Sequence, residues 1–201
     1  MNPKQIERFF KILAKKLDGP SQVVLTGAAN GSLLGGVRPS LDIDFAIDVL
    51  KKSPEAWAKV STAIEGASRA AGISVNFAED IDRWGMVSLL DYKKHTRLFW
   101  RFGSLWVKTL DPRYWSIGKM TRYLESDAQD MVQVFRRQKV PFRSLSVLWA
   151  KALRASPPST GLFLFRKHVE TFYRDWGRKV WGTEFDPEKA INGFRTLLGR
   201  K

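Results

Sequence analysis

Residues 41–48 read LDIDFAID, an unbroken alternation of apolar and polar positions that suits an extended strand with one buried face. Leu41, Ile43, Phe45 and Ile47 fall on one side, and Asp42, Asp44, Ala46 and Asp48 on the other. Just upstream, QVVLTG is a β-branched run closed by Gly27, and 28–34 suit a short helix before Gly35-Gly36 break it. The chain therefore leaves a strand through a glycine corner and returns as a strand bearing carboxylates at i and i+2. Asp is depleted in strands and like charges side by side repel, so a compensating cation is expected, with Arg38 and a bound metal as candidates. Any strand with one solvated face shows the same polar spacing without a site.

The rest of the chain falls into two zones. Ile6, Phe9, Phe10, Leu13 and Leu17 predict a helix over 4–17. Ser53-Pro54 supplies an N-cap and a proline at N1 for a helix that keeps its period to Gly72. ISVNFAE, MVSLL, RLFWRF and LWVKTL read as short strands. At Asp111-Pro112 the texture turns helical: Ser126 and Gln129 read as a capping box, and three further helices follow in SLSVLWAKALRA, LFLFRKHVETFYRDWG and PEKAINGFRTLLG. The expected fold is α+β, a mixed β-sheet with helices on one face (1–110) followed by a basic helical lobe packed on it (111–201). No fixed-period repeat is visible.

Charge placement bears on partners. Of a net +14, residues 1–100 carry 14 Lys+Arg against 11 Asp+Glu, and residues 101–201 carry 20 against 9. A basic C-terminal half attracts polyanions, with nucleic acid the commonest, although an acidic protein partner or a merely solubilising surface has the same signature. Zero Cys and two isolated His, His95 and His168, remove thiolate chemistry and the usual zinc cages, so any metal is expected to be a hard, oxygen-liking ion. No apolar run approaches the ~20 residues of a membrane span and the N-terminus lacks a signal-peptide core, so no membrane association and a cytoplasmic location are expected.

A glycine corner beside a paired-acid strand suits phosphoryl or nucleotidyl transfer, because Mg²⁺ needs only one or two carboxylates plus phosphate oxygens. The residues LTGAAN and RPSLDIDF resemble the polymerase-beta-like nucleotidyltransferase superfamily, whose signature is an apolar strand, Gly followed by Gly or Ser, a short helix, and an acid-apolar-acid strand. RPSLDIDF is similar to the Arg-x-Thr-x-Asp-Ile-Asp stretch of bacterial toxin-type and other minimal nucleotidyltransferases. LDPRYWSIGKMTRYLESDAQDMVQVF is similar to their helical segment, in which Lys and Arg precede Asp-x-x-Asp. The two stretches cover about residues 22–135. The resemblance implies a nucleotidyltransferase-like fold and an NTP substrate with Mg²⁺ or Mn²⁺ held by Asp42 and Asp44. It places Gly27 and the Ala28 backbone at the phosphates beside Arg38, Lys119 on the triphosphate next to Arg122, and Asp127 at the site with Asp130 orienting its neighbours. Ala28 departs from the Gly or Ser of the pattern, leaving Asn30 or Ser32 as substitutes for a side-chain contact. The third strand carboxylate of many members is also missing: Asn76 stands mid-strand, and Glu79, Asp80 and Asp82 lie at or past its end.

The resulting expectation is transfer of a nucleoside monophosphate from NTP to an acceptor, with RNA or a tRNA end suggested by the basic half. The resemblance to toxin members adds an antitoxin protein as a partner. The alternative is a catalytically inactive relative that binds nucleic acid or a partner protein. Independently of the family, Lys119/Arg122 and Asp127/Asp130 are i, i+3 pairs, and a salt-bridge cluster across a helix corner is the plainer role for them. GSLLGGV is not a P-loop, since no Gly-Lys-Ser/Thr follows. Of eight Trp, residues 57, 100, 106 and 149 are expected in the core, while Trp115 and Trp181 are the candidates for stacking on bases.

Overall fold

The computed structural model describes residues 1–49, 53–89 and 91–199. The chain is α+β and divides into two compact units. The first comprises 1–33, 38–81 and 95–110; the second comprises 34–37, 82–94 and 111–201. Segments 34–37 and 82–94 thus group with the helical residues although they precede position 111.

The first unit is built on a five-stranded mixed sheet. Its strands are β1 (Ser21–Leu25), β2 (Asp42–Val49), β3 (Ser74–Ala78), β6 (Thr96–Phe102) and β7 (Leu105–Leu110), in the order β3-β2-β1-β7-β6. β1 lies at the centre, antiparallel to β2 and parallel to β7, while β2 runs parallel to β3 and β6 antiparallel to β7. Helices α1 (Pro3–Ala14) and α3 (Pro54–Ala71) cover one face. Ile6, Phe9, Phe10 and Leu13 of α1 meet Val60, Ile64 and Ala67 of α3 over Ile43, Phe45 and Ile47 of β2, all buried. The spacings that predicted these helices are the spacings that bury them, and Ser53 and Gly72 cap α3 as expected, with Gly72 left-handed at φ 66°. α1 begins on an Asn2–Gln5 capping box and stops three residues short of Leu17. Helix α2 (Gly27–Leu33) follows β1 directly.

Three expected features of this unit differ. Leu41 lies before β2 and is 93% exposed, because strand pairing starts only at Asp42 opposite Ser74. Ala46, on the polar side of the alternation, is buried. MVSLL adds no strand to the main sheet: Val87–Ser88 (β5) pairs with Arg83–Trp84 (β4) in a separate ribbon within the second unit. Leu50, the last residue of the run LDIDFAIDVL that reads as β2, and Leu90, the last of MVSLL, lie outside the described residues.

The second unit holds α4 (Pro112–Arg122), α5 (Glu125–Arg137), α6 (Phe142–Arg154), α7 (Thr160–Trp181) and α8 (Pro187–Gly199). Asp111 caps α4 by accepting from the Arg113 amide at 2.9 Å. α5 begins at Glu125 rather than after Ser126, because Asp127 sits at the third helical position and its carboxylate accepts the Leu124 amide. The core is aromatic, with Phe135, Trp149, Phe165, Phe172, Tyr173 and Phe194 fully buried. Trp149 donates its indole N–H to Ser116 Oγ at 2.9 Å, which satisfies the one polar atom that its burial would orphan. No helix among the described residues is long and apolar enough to cross a membrane.

Candidate functional site

The two aspartates of β2 form a single constellation. Register places Asp44 beside Asn76 of β3, and the Asn76 side-chain amide donates to both carboxylates: Nδ2 to Asp42 Oδ2 at 2.9 Å and to Asp44 Oδ1 at 2.9 Å. One NH₂ group thus occupies the space between two carboxylates, supplying the positive end of a dipole where like charges would otherwise face each other. Both acids are partly exposed, on the sheet face opposite α1 and α3.

Gly27 closes the site. The chain leaves β1 with the Thr26 amide bonded to the Asp44 carbonyl at 2.9 Å, then turns left-handed at Gly27, φ 56°. A Cβ at this position would lie 2.0 Å from Asp44 Oδ2. Glycine is therefore required twice over, by backbone conformation and by the closeness of the carboxylate. Ala28 follows, partly exposed. Ser32 and Arg38 are also partly exposed, Arg38 in the loop that leads into β2. The start of that strand is tied down by the Ser40 hydroxyl, which donates to the Asp42 carbonyl, and by the Met1 ammonium, which donates to the Ser40 carbonyl at 2.6 Å.

Asn30 does something different from the expected phosphate contact. It is fully buried, and its amide pairs with the Leu110 backbone in both directions, Nδ2 to O at 3.2 Å and Leu110 N to Oδ1 at 3.0 Å. This bidentate pairing ties α2 to the end of β7 and leaves the side chain no path to a ligand.

Lys119, Arg122, Asp127 and Asp130 do come together, inside the second unit. The Lys119 side chain is 4% exposed, and its ammonium donates to Asp127 Oδ1 at 3.0 Å and Asp130 Oδ2 at 2.8 Å. Arg122 grips Asp127 in bidentate fashion, with both contacts at 2.7 Å. Burial on its own would raise the Asp127 carboxyl, but hydrogen bonds from Arg122 and then Lys119 outweigh it and hold the group below its ordinary value. The geometry is that of a buried ion cluster joining α4 to α5. An ammonium that already serves two carboxylates and sits beneath the surface is a structural cation, so the expected triphosphate contact for Lys119 would require dismantling the cluster.

Among the described residues, no group of three or more carboxylate or imidazole side chains gathers as a metal cage. The pair Asp42/Asp44 with Asn76 is the oxygen-rich donor set on this sheet face, and Asn76 occupies the β3 position beside them. Asp48 lies six residues along β2 from Asp42, about 20 Å at strand spacing, and takes no part in the pair. His168 accepts or donates at Nδ1 against the Met120 carbonyl at 2.8 Å and stacks on Tyr123, a structural role. No family model, curated protein or solved structure matches the chain.

The tryptophans match the expectation in part: Trp149 is fully buried, Trp57 and Trp100 pack partly buried against the sheet core, and three others differ. Trp115 is buried against Lys119, and Trp181, partly exposed, packs its ring against Phe172, Tyr173 and Phe185 with its N–H on the Val140 carbonyl. Neither is presented as a stacking platform. Trp106, expected in the core, is 41% exposed, because its register puts it on the sheet face away from the helices.

Proposed function

We propose that this chain is a nucleotidyltransferase that moves a nucleoside monophosphate from NTP to a hydroxyl of an RNA acceptor, with a divalent cation held by Asp42 and Asp44. The observation that carries the reading is the convergence of both carboxylates on one Asn76 amide beside Gly27. The site suits a hard ion: its donors are carboxylate oxygens, and turning the Asn76 amide over presents its carbonyl oxygen as a third. Mg²⁺ or Mn²⁺ bound there would neutralise triphosphate oxygens and the charge that builds up during displacement. The chain's own contributions are separate. Gly27 keeps a side chain out of the Asp44 carboxylate, Ala28 offers only its backbone, and Asn76 holds the two acids in one orientation. The resemblance of LTGAAN and RPSLDIDF to minimal nucleotidyltransferases supports the reaction class, and the basic C-terminal half supports RNA as acceptor. Resemblance to toxin members extends the proposal to an antitoxin partner.

A second reading rests on Asn76 itself. A carboxamide cannot take the proton of an attacking hydroxyl, so a chain with Asn where an acid would serve as base is also suited to binding without turnover. Incorporation of labelled NTP into total RNA separates the two. Label that depends on Mg²⁺ and disappears in both Asp42→Ala and Asp44→Ala is the expected result. Label that persists in those variants removes the metal site, and no label with any NTP favours the binding module.

A further inference from the structure

Trp106 lies at the other end of the face that carries the aspartate pair. Cross-strand register sets Arg101, Trp106, Gln22 and Asp48 in one row across β6, β7, β1 and β2. Asp44 is reached four residues further along β1, beside Thr26. At about 3.3 Å per residue and 4.8 Å per strand, Trp106 is on the order of 16 Å from Asp44.

The surroundings of this indole are specific. The Arg101 guanidinium lies 5.5 Å from the ring centroid and the Lys108 ammonium 6.0 Å, near the outer limit of a cation–π contact. A groove of about 620 Å³ opens beside it, lined by Gln22, Asp48, Arg101, Ser104 and Trp106. An exposed large aromatic between two cations suits a ligand that alternates flat rings with negative charge. A carboxylate in the same groove is unfavourable for phosphate but accepts well from a sugar hydroxyl.

We propose that this face binds a single-stranded segment of RNA. Trp106 stacks on a base, Arg101 and Lys108 neutralise flanking phosphates, and Asp48 accepts a ribose 2′-hydroxyl. The occupant is argued from charge complementarity: a duplex buries its base faces and offers nothing to stack, whereas a single strand sets each flat base between phosphates, matching an indole set between Arg101 and Lys108. That this RNA is the acceptor rests on the function proposed above; that the face binds RNA does not.

The test is anisotropy of fluorescein-labelled 12-nucleotide RNA and DNA of the same sequence, titrated with the whole chain. Trp106→Ala weakens RNA binding by about tenfold or more, Trp106→Phe retains most of it, and both keep the wild-type melting temperature. Replacing Arg101 and Lys108 together with Gln lowers the slope of log K against log salt by about 1.4. Asp48→Asn narrows the preference for RNA over DNA. Wild-type RNA affinity in folded Trp106→Ala, or equal affinity for DNA and RNA in the wild type, overturns the proposal. Trp106-dependent RNA binding without NTP incorporation rejects the transferase reading and leaves this one standing. Incorporation with an unchanged KM for RNA in Trp106→Ala rejects the acceptor role of the face.

Discussion

Gly27 and Asn76 govern the aspartate pair from opposite sides, and replacing each separates stability from chemistry. Gly27→Ala puts a Cβ into the left-handed region at a cost of about 1–2 kcal/mol and drives it against Asp44 Oδ2. A carboxylate at the end of a short side chain yields more cheaply than backbone, so the expected outcome is a small drop in melting temperature with a loss of metal-dependent activity far beyond it. Thermal unfolding and NTP incorporation on the same preparation check this. Asn76→Asp replaces a bridging donor with a third negative charge. It is expected to lower the melting temperature in EDTA and to enlarge the rise on adding Mg²⁺ relative to wild type, because the repulsion is relieved only when a cation binds. Asn76→Ala, which removes the bridge without adding charge, is expected to show the drop in EDTA but no enlarged rise. The aspartate pair and its glycine were legible in the residues themselves, since strand alternation fixes the face and a glycine before a paired acid is a local signal. The bridging role of Asn76 was not, because it depends on β3 pairing with β2 in one register, and register is set by packing across 30 residues of intervening chain. Asn30 was misread for the same reason: its partner, the Leu110 backbone, lies 80 positions away.

At the level of elements, the α4–α5 corner is held by charges as well as by caps: Tyr123 ends α4 left-handed with its amide on the Lys119 carbonyl, and the Asp127 carboxylate both caps α5 and joins the ion cluster. Breaking a buried pair by removing one partner costs on the order of 3–5 kcal/mol, since the other is left charged and unpaired. Lys119→Met takes the shared ammonium from Asp130 and from Asp127, which keeps Arg122, and is expected to be the most destabilising single change in this cluster; Asp127→Asn, which leaves Lys119 on Asp130 and Arg122 at the surface, is expected to cost less. Chemical denaturation ranks the two. The Asp127 carboxyl is held below its ordinary value of 3.8, so its contribution is complete above about pH 4 and is lost as pH falls through the lowered folded-state value. Stability of the wild type is accordingly expected to fall more steeply than that of Asp127→Asn below pH 4. The helical content of this region was readable from period and capping residues, and Asp111-Pro112 marked its start correctly. The start of α5 was not, because Ser126 and Gln129 match a capping pattern while the carboxylate one residue further on does the capping. The tryptophans show the same limit. In an edge-proximal strand, a Trp on either face gives the same composition, and only pairing decides which side is covered.

Across the whole molecule, the positive charge sets the strength of any polyanion contact and its sensitivity to salt. Four neutralised phosphates on a single strand give a fall in affinity on the order of 50-fold between 50 and 200 mM salt, and the RNA titration repeated at several ionic strengths reads this directly. A flat response would assign the charge to solubility instead. The α+β class was legible from hydrophobic period, and the passage from sheet to helices near residue 111 from period together with the Asp111-Pro112 cap. The allocation of 34–37 and 82–94 to the helical unit was not, since neither short segment carries a periodic signal of its own.

The central position of β1 has a consequence for biosynthesis. Its neighbour on one side, β2, emerges from the ribosome some twenty residues later, but its neighbour on the other, β7, is about eighty residues away. Until roughly residue 110 has been translated, the nascent sheet presents Val23 and Val24 along an open hydrogen-bonding margin, the kind of surface that recruits chaperones or mispairs between neighbouring polysomal chains. Slowing translation between codons 50 and 105 should therefore lower the soluble yield more than an equal delay placed after β7 has cleared the ribosome.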